Sequence, residues 1–336
     1  MCVSEREGVM RILMDVVVVG CLLFTSPGLA FDLQGHRGAR GLAPENTLPA
    51  FARALSLGVT TLELDTGITK EGVVVISHNL SLDPDITRDK DGKWLRKTGP
   101  AIHSLTFAEL QQYDVGRLKP NTDYAKLLPE QRAVDGTRIP KLADLFALVK
   151  KSSNEQVRFN IETKISPLNP NETLDPENFT KTLVELIQKE GMGARVSIQS
   201  FDWRTLQVVQ KIAPEIPTVY LSVQQRSFDN IAAEKPEGSP WAAGFQHKDH
   251  GSVPRMVKAA GGRIWSPYFA DITEAKLEEA HSLGITVVVW TVNEPGQIKK
   301  MLDLGVDGLI SDQPDLVRQT MAERGMALPS PTPVQP

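Results

Sequence analysis

Thr47-Leu-Pro-Ala-Phe-Ala-Arg-Ala-Leu-Ser-Leu-Gly58, followed directly by Val59-Thr-Thr-Leu-Glu-Leu-Asp65, is the stretch that decides the fold. Its first half is an amphipathic helix with Thr47 as N-cap and Gly58 at the left-handed stop position. Its second half reads as a strand. The same unit recurs twice. Ile272 to Gly284 is a helix with a Leu-Gly stop and Ile285 to Thr291 its strand; Glu294 to Gly305 and Val306 to Ser311 repeat both. Further strands are expected at 157–162, 195–199, 218–221 and 263–265, with a first one ending at Gly35-His36. These β-branched and apolar runs lack alternation, as strands covered on both faces should.

About eight strands with helices between them suit either a closed barrel or an open doubly wound sheet. Polar residues end the strands from His36 to Trp290, across nearly the whole chain. A barrel brings all its strand ends to one mouth, whereas an open sheet uses chiefly those at its switch point. The expectation is therefore an α/β fold of the TIM (β/α)8 type, spanning residues 31–320. The polar, turn-rich stretch from Asn79 to Pro140 is too long for an ordinary loop and is expected to be an inserted lid or subdomain. Inside it, Thr106 and Glu109 form a capping box. Four prolines among the last eight residues suggest a loose tail over 327–336.

Composition excludes several functions. Of 336 residues, 41% are hydrophobic and 23% charged, which is a globular balance. The net charge of −4 argues against nucleic acid as a partner. Both cysteines, Cys2 and Cys21, lie in a leader that reads as an export signal. An apolar run of nine, Val16 to Phe24, follows Arg11 and precedes Gly28 and Ala30, placed for cleavage. The run is too short to span a bilayer. Cleavage of residues 1–30 would leave a chain without thiols and exclude Cys-ligated zinc and thiolate catalysis. The acidic residues Glu5 and Glu7 suit a signal poorly, so Met10 is the expected start. Val18-Val19-Gly20-Cys21 also resembles a lipobox, so a lipoprotein anchored through Cys21 is the second reading. Export to the periplasm is the expectation from either.

Glu63 and Asp65 share one face of their strand, while Leu62 and Leu64 point the other way. Two half-dry carboxylates side by side call for a cation between them, and Ca2+ or Mg2+ prefers such an oxygen cage. Glu162, which ends the next strand in Glu162-Thr-Lys164, can complete it, with Lys164 as an anion-binding cation. His36-Arg37-Gly38 and Ser77-His78-Asn79 put two histidines after extended segments, suited to a general base and a general acid. Arg37 offers a planar fork for phosphate, and Trp290 a wall for a ligand pocket. His103, His247, His250 and His281 read as structural, and Asp312 as the cap of a backbone turn.

Together these residues resemble the glycerophosphodiester phosphodiesterase family of exported bacterial enzymes. The resemblance runs from about Leu33 to Val317 through Gly35-His-Arg-Gly-Ala, Ala43-Pro-Glu-Asn-Thr47, Leu62-Glu-Leu-Asp65, Ser77-His-Asn79, Ile161-Glu-Thr-Lys164, Trp290-Thr-Val-Asn293 and Gly305-Val-Asp-Gly308. It implies a TIM barrel with an insertion after the second strand. It also implies one divalent cation, Ca2+ or Mg2+, on Glu63, Asp65 and Glu162, an acid/base pair in His36 and His78, and phosphate contacts from Arg37 and Lys164. Glu45 and Asn79 would stand behind this site; the family pattern has Asp where this chain has Asn79, which bears on how His78 is oriented. The implied reaction is hydrolysis of a small-molecule glycerophosphodiester to sn-glycerol 3-phosphate and an alcohol. Two alternatives are a lysophospholipase D-type enzyme, whose apolar groove Trp94, Leu95, Leu105, Phe107 and Leu110 could supply, and a non-catalytic periplasmic binding protein. Neither headgroup preference nor oligomeric state is legible from these residues.

Overall fold

The computed structural model describes Met1 and residues 31–336; the leader, with its export signal and Cys21, lies outside the described residues. Eight strands pair in parallel in chain order: β1 (Asp32–Gly35), β2 (Thr61–Ile68), β3 (Arg158–Thr163), β4 (Val196–Ser200), β5 (Thr218–Ser222), β6 (Ile264–Pro267), β7 (Thr286–Val289) and β8 (Gly308–Ser311). β1 pairs with β8 on one side (Asp32 opposite Gly308) and with β2 on the other (Gln34 opposite Thr61), which closes the barrel. A helix follows each strand: α1 (Leu48–Leu57), α2 (Leu142–Lys151), α3 (Pro176–Lys189), α4 (Trp203–Ile212), α5 (Val253–Ala259), α6 (Glu274–Ser282), α7 (Pro295–Leu304) and α8 (Pro314–Glu323). The fold is the TIM barrel that the sequence predicts.

The repeated helix-to-strand unit forms for the reasons its residues suggest. The Thr47 hydroxyl accepts from the Ala50 N–H at the start of α1, and Gly58 takes φ 85° at its end. Thr273 caps α6 in the same way, and Gly305 closes α7 in the left-handed region. Alternation along each strand then separates two environments. Leu62, Leu64, Phe159, Ile161, Ile198, Trp265 and Leu309 face outward into the main hydrophobic cluster, where helix residues such as Phe146 meet them. Phe146 packs edge-on to Phe159 with ring centres 5.0 Å apart. The inward residues of the first four strands are instead amides and acids. Asn160 donates to the Gln34 side-chain oxygen at 3.0 Å and to that of Gln199 at 2.8 Å. Gln199 in turn donates to Glu63 at 2.7 Å.

Three sequence expectations need correction. Glu63 and Asp65 lie within β2 rather than at its end, because Val74–Ile76 folds back antiparallel on Thr66–Ile68 and prolongs the strand. The insertion between Ile76 and Leu142 offers no groove from the apolar residues named above. Leu95, Leu105, Phe107 and Leu110 close around Val75, Leu82, Ile102, Val115 and Ile139 as a small core of their own, and Trp94 lies 5.7 Å beneath the Arg88 guanidinium. Burial of that apolar area is what lets a loop so polar hold a shape. The C-terminal residues are not loose. The Thr332 N–H donates to the Leu55 carbonyl at the end of α1 (2.8 Å), Asn154 donates to the Thr332 hydroxyl (3.0 Å), and Val334 packs on the main core. Prolines suit this strap because an extended segment docked by a few contacts needs few N–H donors.

Asn160 is the hub of the barrel's inner polar layer, also accepting from Ser197 at 3.0 Å. Replacing it by Leu should leave two buried amide oxygens, those of Gln34 and Gln199, unpaired and lower unfolding stability by roughly 2–3 kcal/mol, read from urea denaturation. A change below about 0.5 kcal/mol would mean that this layer does not hold the barrel.

Candidate active site

The turn after β1 is built backwards onto its own strand. A Cβ at Gly35 would lie 2.0 Å from the Gly38 carbonyl, and Arg37 sits at φ 49°, so only this tight turn brings the Arg37 N–H to the Glu63 carboxylate at 2.8 Å. Asp65 and Glu162 are direct cross-strand neighbours in the β2–β3 pair. Side chains two apart on one strand and opposite on the next converge. Glu63, Asp65 and Glu162 each present an oxygen within 4.8 Å of the others, and all three are buried. Lys164 reaches Glu162 at 2.8 Å and Asp65 at 3.7 Å. Arg37 pairs with Glu45 at 2.6 Å and approaches Asp65 at 3.4 Å.

Electrostatics in this cluster are those of a cation site. Burial, with Asp65 beside it, drives Glu63 well above the usual carboxylate range. Burial likewise raises Glu162 to about 7, against the pull of Lys164. Asp65 escapes the same burial because His78, Lys164, Arg37 and an Asn46 hydrogen bond of 2.9 Å hold it below its ordinary value. Three acids thus share two ammonium-type partners, one of which, Arg37, is divided with Glu45, and its buried Nε has no hydrogen-bond partner. An oxygen-only donor set with this excess of negative charge fits a hard divalent cation, and the three carboxylates can hold one.

Both candidate histidines face this cluster, each fixed from behind. The His36 Nδ1 pairs with Asp312 at 2.5 Å and its Nε2 points to Glu63 at 3.9 Å. Burial and the Arg40 guanidinium nonetheless push His36 down to about 4. The His78 Nδ1 meets the Asn79 side-chain oxygen at 2.6 Å, and the Asn79 amide donates onward to Asp83 at 2.7 Å. That second bond fixes the amide so that its oxygen faces His78, and Asn79 can therefore do the orienting work of an Asp. Burial, with Arg37 and Lys164 near, holds His78 well below its ordinary value. The histidines, Arg37, the three acids and Trp290 line one cavity of about 170 Å³ at the C-terminal mouth of the barrel. Lys164 lines an adjoining cavity of about 780 Å³ that shares His78, Glu162, Phe201 and Trp290 with the first.

Every site residue read from the sequence comes to this mouth, with Glu45 and Asn79 one layer behind. Among the other histidines, His103 contacts the Ile68 carbonyl at 3.2 Å and His281 pairs with Asp307 at 2.9 Å, neither in the cavity. Asp312 corrects the reading. Rather than only capping a turn, it receives His36, Asn293 (2.7 Å) and a two-pronged Arg40 (2.6 and 3.1 Å), because β8 ends beside β1. Its place at the end of a strand, like that of Glu162, was the available signal. Arg40, Asn46, Gln199 and Phe201 were also missed. So was Tyr124, whose hydroxyl contacts Glu45 and receives Arg37 at 3.3 Å, tying the insertion to the site.

Fold and site define a barrel hydrolase with an acidic, metal-type centre flanked by two imidazoles and two phosphate-type cations. The chain belongs to the glycerophosphoryl diester phosphodiesterase family, whose pattern it matches over residues 36–316. A crystallised protein from Silicibacter pomeroyi DSS-3, assigned to glycerophosphoryl diester phosphodiesterases, is 34% identical with a TM-score of 0.79, covering 89% of this chain and 95% of its own. The glycerophosphodiester phosphodiesterase of Caldanaerobacter subterraneus is 26% identical over 86% of this chain and 97% of its own. The same fold occurs in an Oleispira antarctica phosphodiesterase crystallised with the product sn-glycerol-3-phosphate, at 19% identity and a TM-score of 0.63, covering 87% of this chain and 96% of its own.

A cation can enter only when Glu162 and Glu63 are deprotonated. Below the Glu162 value of about 7 at least one proton must leave on binding, with a second from the raised Glu63, so affinity should rise with pH by about tenfold or more per unit there and flatten only once both acids are ionised. Calorimetry of chelator-stripped protein with Ca2+ or Mg2+ in two buffers of different ionisation enthalpy checks this. Binding without proton release at pH 6 would contradict the raised carboxylates.

Proposed function

We propose that the protein hydrolyses glycerophosphodiesters to sn-glycerol 3-phosphate and an alcohol, with Ca2+ or Mg2+ on Glu63, Asp65 and Glu162. The observation that carries this reading is the convergence of those three buried acids with two imidazoles and Arg37 in one cavity, with Lys164 paired to Glu162 and lining the cavity that adjoins it. Held by Glu63, Asp65 and Glu162, such a cation would supply charge to offset the developing negative oxygens of the phosphoryl group. Arg37 and Lys164 bind and orient the phosphodiester from the sides left by the carboxylates.

His36 is the proposed base. Asp312 behind its Nδ1 stabilises the imidazolium that forms when Nε2 takes the proton of the attacking hydroxyl, whether from water or from the substrate's own glycerol. His78 is the proposed acid, because it borders both the centre and the larger cavity into which a leaving alcohol extends. In the ligand-free protein Arg37 and Lys164 help burial hold His78 neutral. A bound phosphodiester anion offsets those two charges and raises the imidazole toward the range where it carries a proton. A lipid substrate is less favoured, since the insertion's apolar side chains turn into their own core.

The test is a glycerol-3-phosphate release assay with added divalent ions, and lysophosphatidylcholine as the lipid arm. His36→Ala and His78→Ala should each lower kcat by roughly 10²–10⁴ with folding intact. A p-nitrophenyl leaving group, which needs no protonation, should rescue only His78→Ala. Near-wild-type rates for both variants would make the histidines structural.

Export completes the reading. It rests on the apolar run at 16–24 and the small residues before Phe31; no helix among the described residues is long and apolar enough to cross a membrane. N-terminal sequencing of the protein recovered from its native cells should find Phe31, or a lipidated Cys21, and an intact Met1 or Met10 in the cytoplasm would refute export.

A further inference from the structure

The larger cavity that opens outward from His78 carries a feature that the reaction itself does not require. Phe201 stands edge-on to Trp290 with ring centres 5.3 Å apart at 85°, and meets Phe228 at 5.4 Å and 64°. Phe228 continues to Trp241 at 5.3 Å and 74°. Rings set nearly at right angles form corners, and each corner presents two π-faces to whatever sits in it. Phe201 and Trp290 border both cavities, whereas Phe228 and Trp241 belong to the outer one alone. The Trp290 indole is locked by its bond to the Ser266 carbonyl at 2.9 Å.

The charged side chains that line this cavity are mostly acidic. Asp83, Glu162 and Glu172 line this cavity against a single ammonium, Lys164, which is already paired with Glu162 at 2.8 Å. His78 is neutral there. Glu172 is exposed and, among the described residues, its carboxylate accepts no hydrogen bond or ion pair. Asp83 accepts only from the neutral Asn79 amide and the Asp85 N–H, so its charge, like that of Glu172, has no cation beside it among the described residues, and an anionic alcohol finds little to bind there. A compact organic cation finds both of the partners it prefers.

Resting on the proposed hydrolysis, we infer that the outer cavity is a headgroup subsite selecting glycerophosphodiesters whose alcohol carries an ammonium group, quaternary or primary. The cation sits against Phe228 and Trp241, with Glu172 and Asp83 supplying the counter-charge, and the ester oxygen of that alcohol then lies toward His78.

Two measurements test this on the metal-loaded protein. In the first, kcat/KM is compared for glycerophosphocholine and for the neutral glycerophosphoglycerol. The cationic substrate should be favoured at least about fivefold, mainly through KM, and Phe228→Leu or Glu172→Gln should cut that ratio by roughly three- to tenfold. In the second, choline alone should quench indole fluorescence saturably in wild type and more weakly in Phe228→Leu, while glycerol should not. Equal kcat/KM for the two substrates, or variants that slow both alike, would overturn the subsite. Choline binding without turnover of any diester would instead overturn the hydrolytic reading and leave the cation site standing.

Discussion

Asp65 and Glu162 face each other across a parallel strand pair, with Glu63 one inward position earlier on the same strand. Placing three carboxylates inside a barrel mouth is costly unless each finds compensation. Much of the surrounding structure supplies it: the backbone N–H of Arg37, the amides of Asn46 and Gln199, the ammonium of Lys164 and the guanidinium of Arg37. Those groups come from the β1 turn, the start of α1, and strands β3 and β4. The centre therefore specifies much of the polar inner layer, and the protein keeps its apolar packing on the outside of the barrel, between strands and helices.

The same repulsion explains the split in protonation. Asp65 is the acid that the cations surround, so it stays charged, while Glu63 and Glu162 are pushed toward the neutral form. A divalent cation resolves the conflict at a stroke by offering each acid a partner. Behind the two histidines the supports differ in kind. Asp312 puts a full negative charge on His36, whereas Asn79 offers His78 a neutral oxygen that is itself held by Asp83. Different supports for similar imidazoles suit a division of labour, one stabilised as an imidazolium and the other free to release its proton.

The insertion does two jobs that its composition disguises. Its small apolar core lets a segment of turns keep a fixed shape, and from that base Tyr124 reaches Glu45 and the guanidinium of Arg37. Its near end, Leu80 to Pro84, forms one wall of the outer cavity. One segment thus both walls the outer cavity and holds the Arg37 guanidinium in place.

The sequence by itself determined the barrel and which polar side chains gather at its mouth. Helix caps, Leu-Gly stops and unalternating strands are local signals, and Glu63 with Asp65 between leucines shows its buried parity without a structure. A strand-end His or Glu is visible because polarity is costly on a covered strand. Only the tertiary structure decided what lies behind and around those groups. Asp312 and His36 are neighbours because β8 closes on β1, a contact between the two ends of the barrel that no local pattern carries. Tyr124 reaches the site through a loop whose path follows from its own small core. The aromatic corner joins residues from the ends of β4 and β7 with Phe228 and Trp241 of the segment after β5, so it exists only once those strands share a mouth. Where neighbours in space are remote in sequence, periodicity can say which way a side chain points but not what it meets.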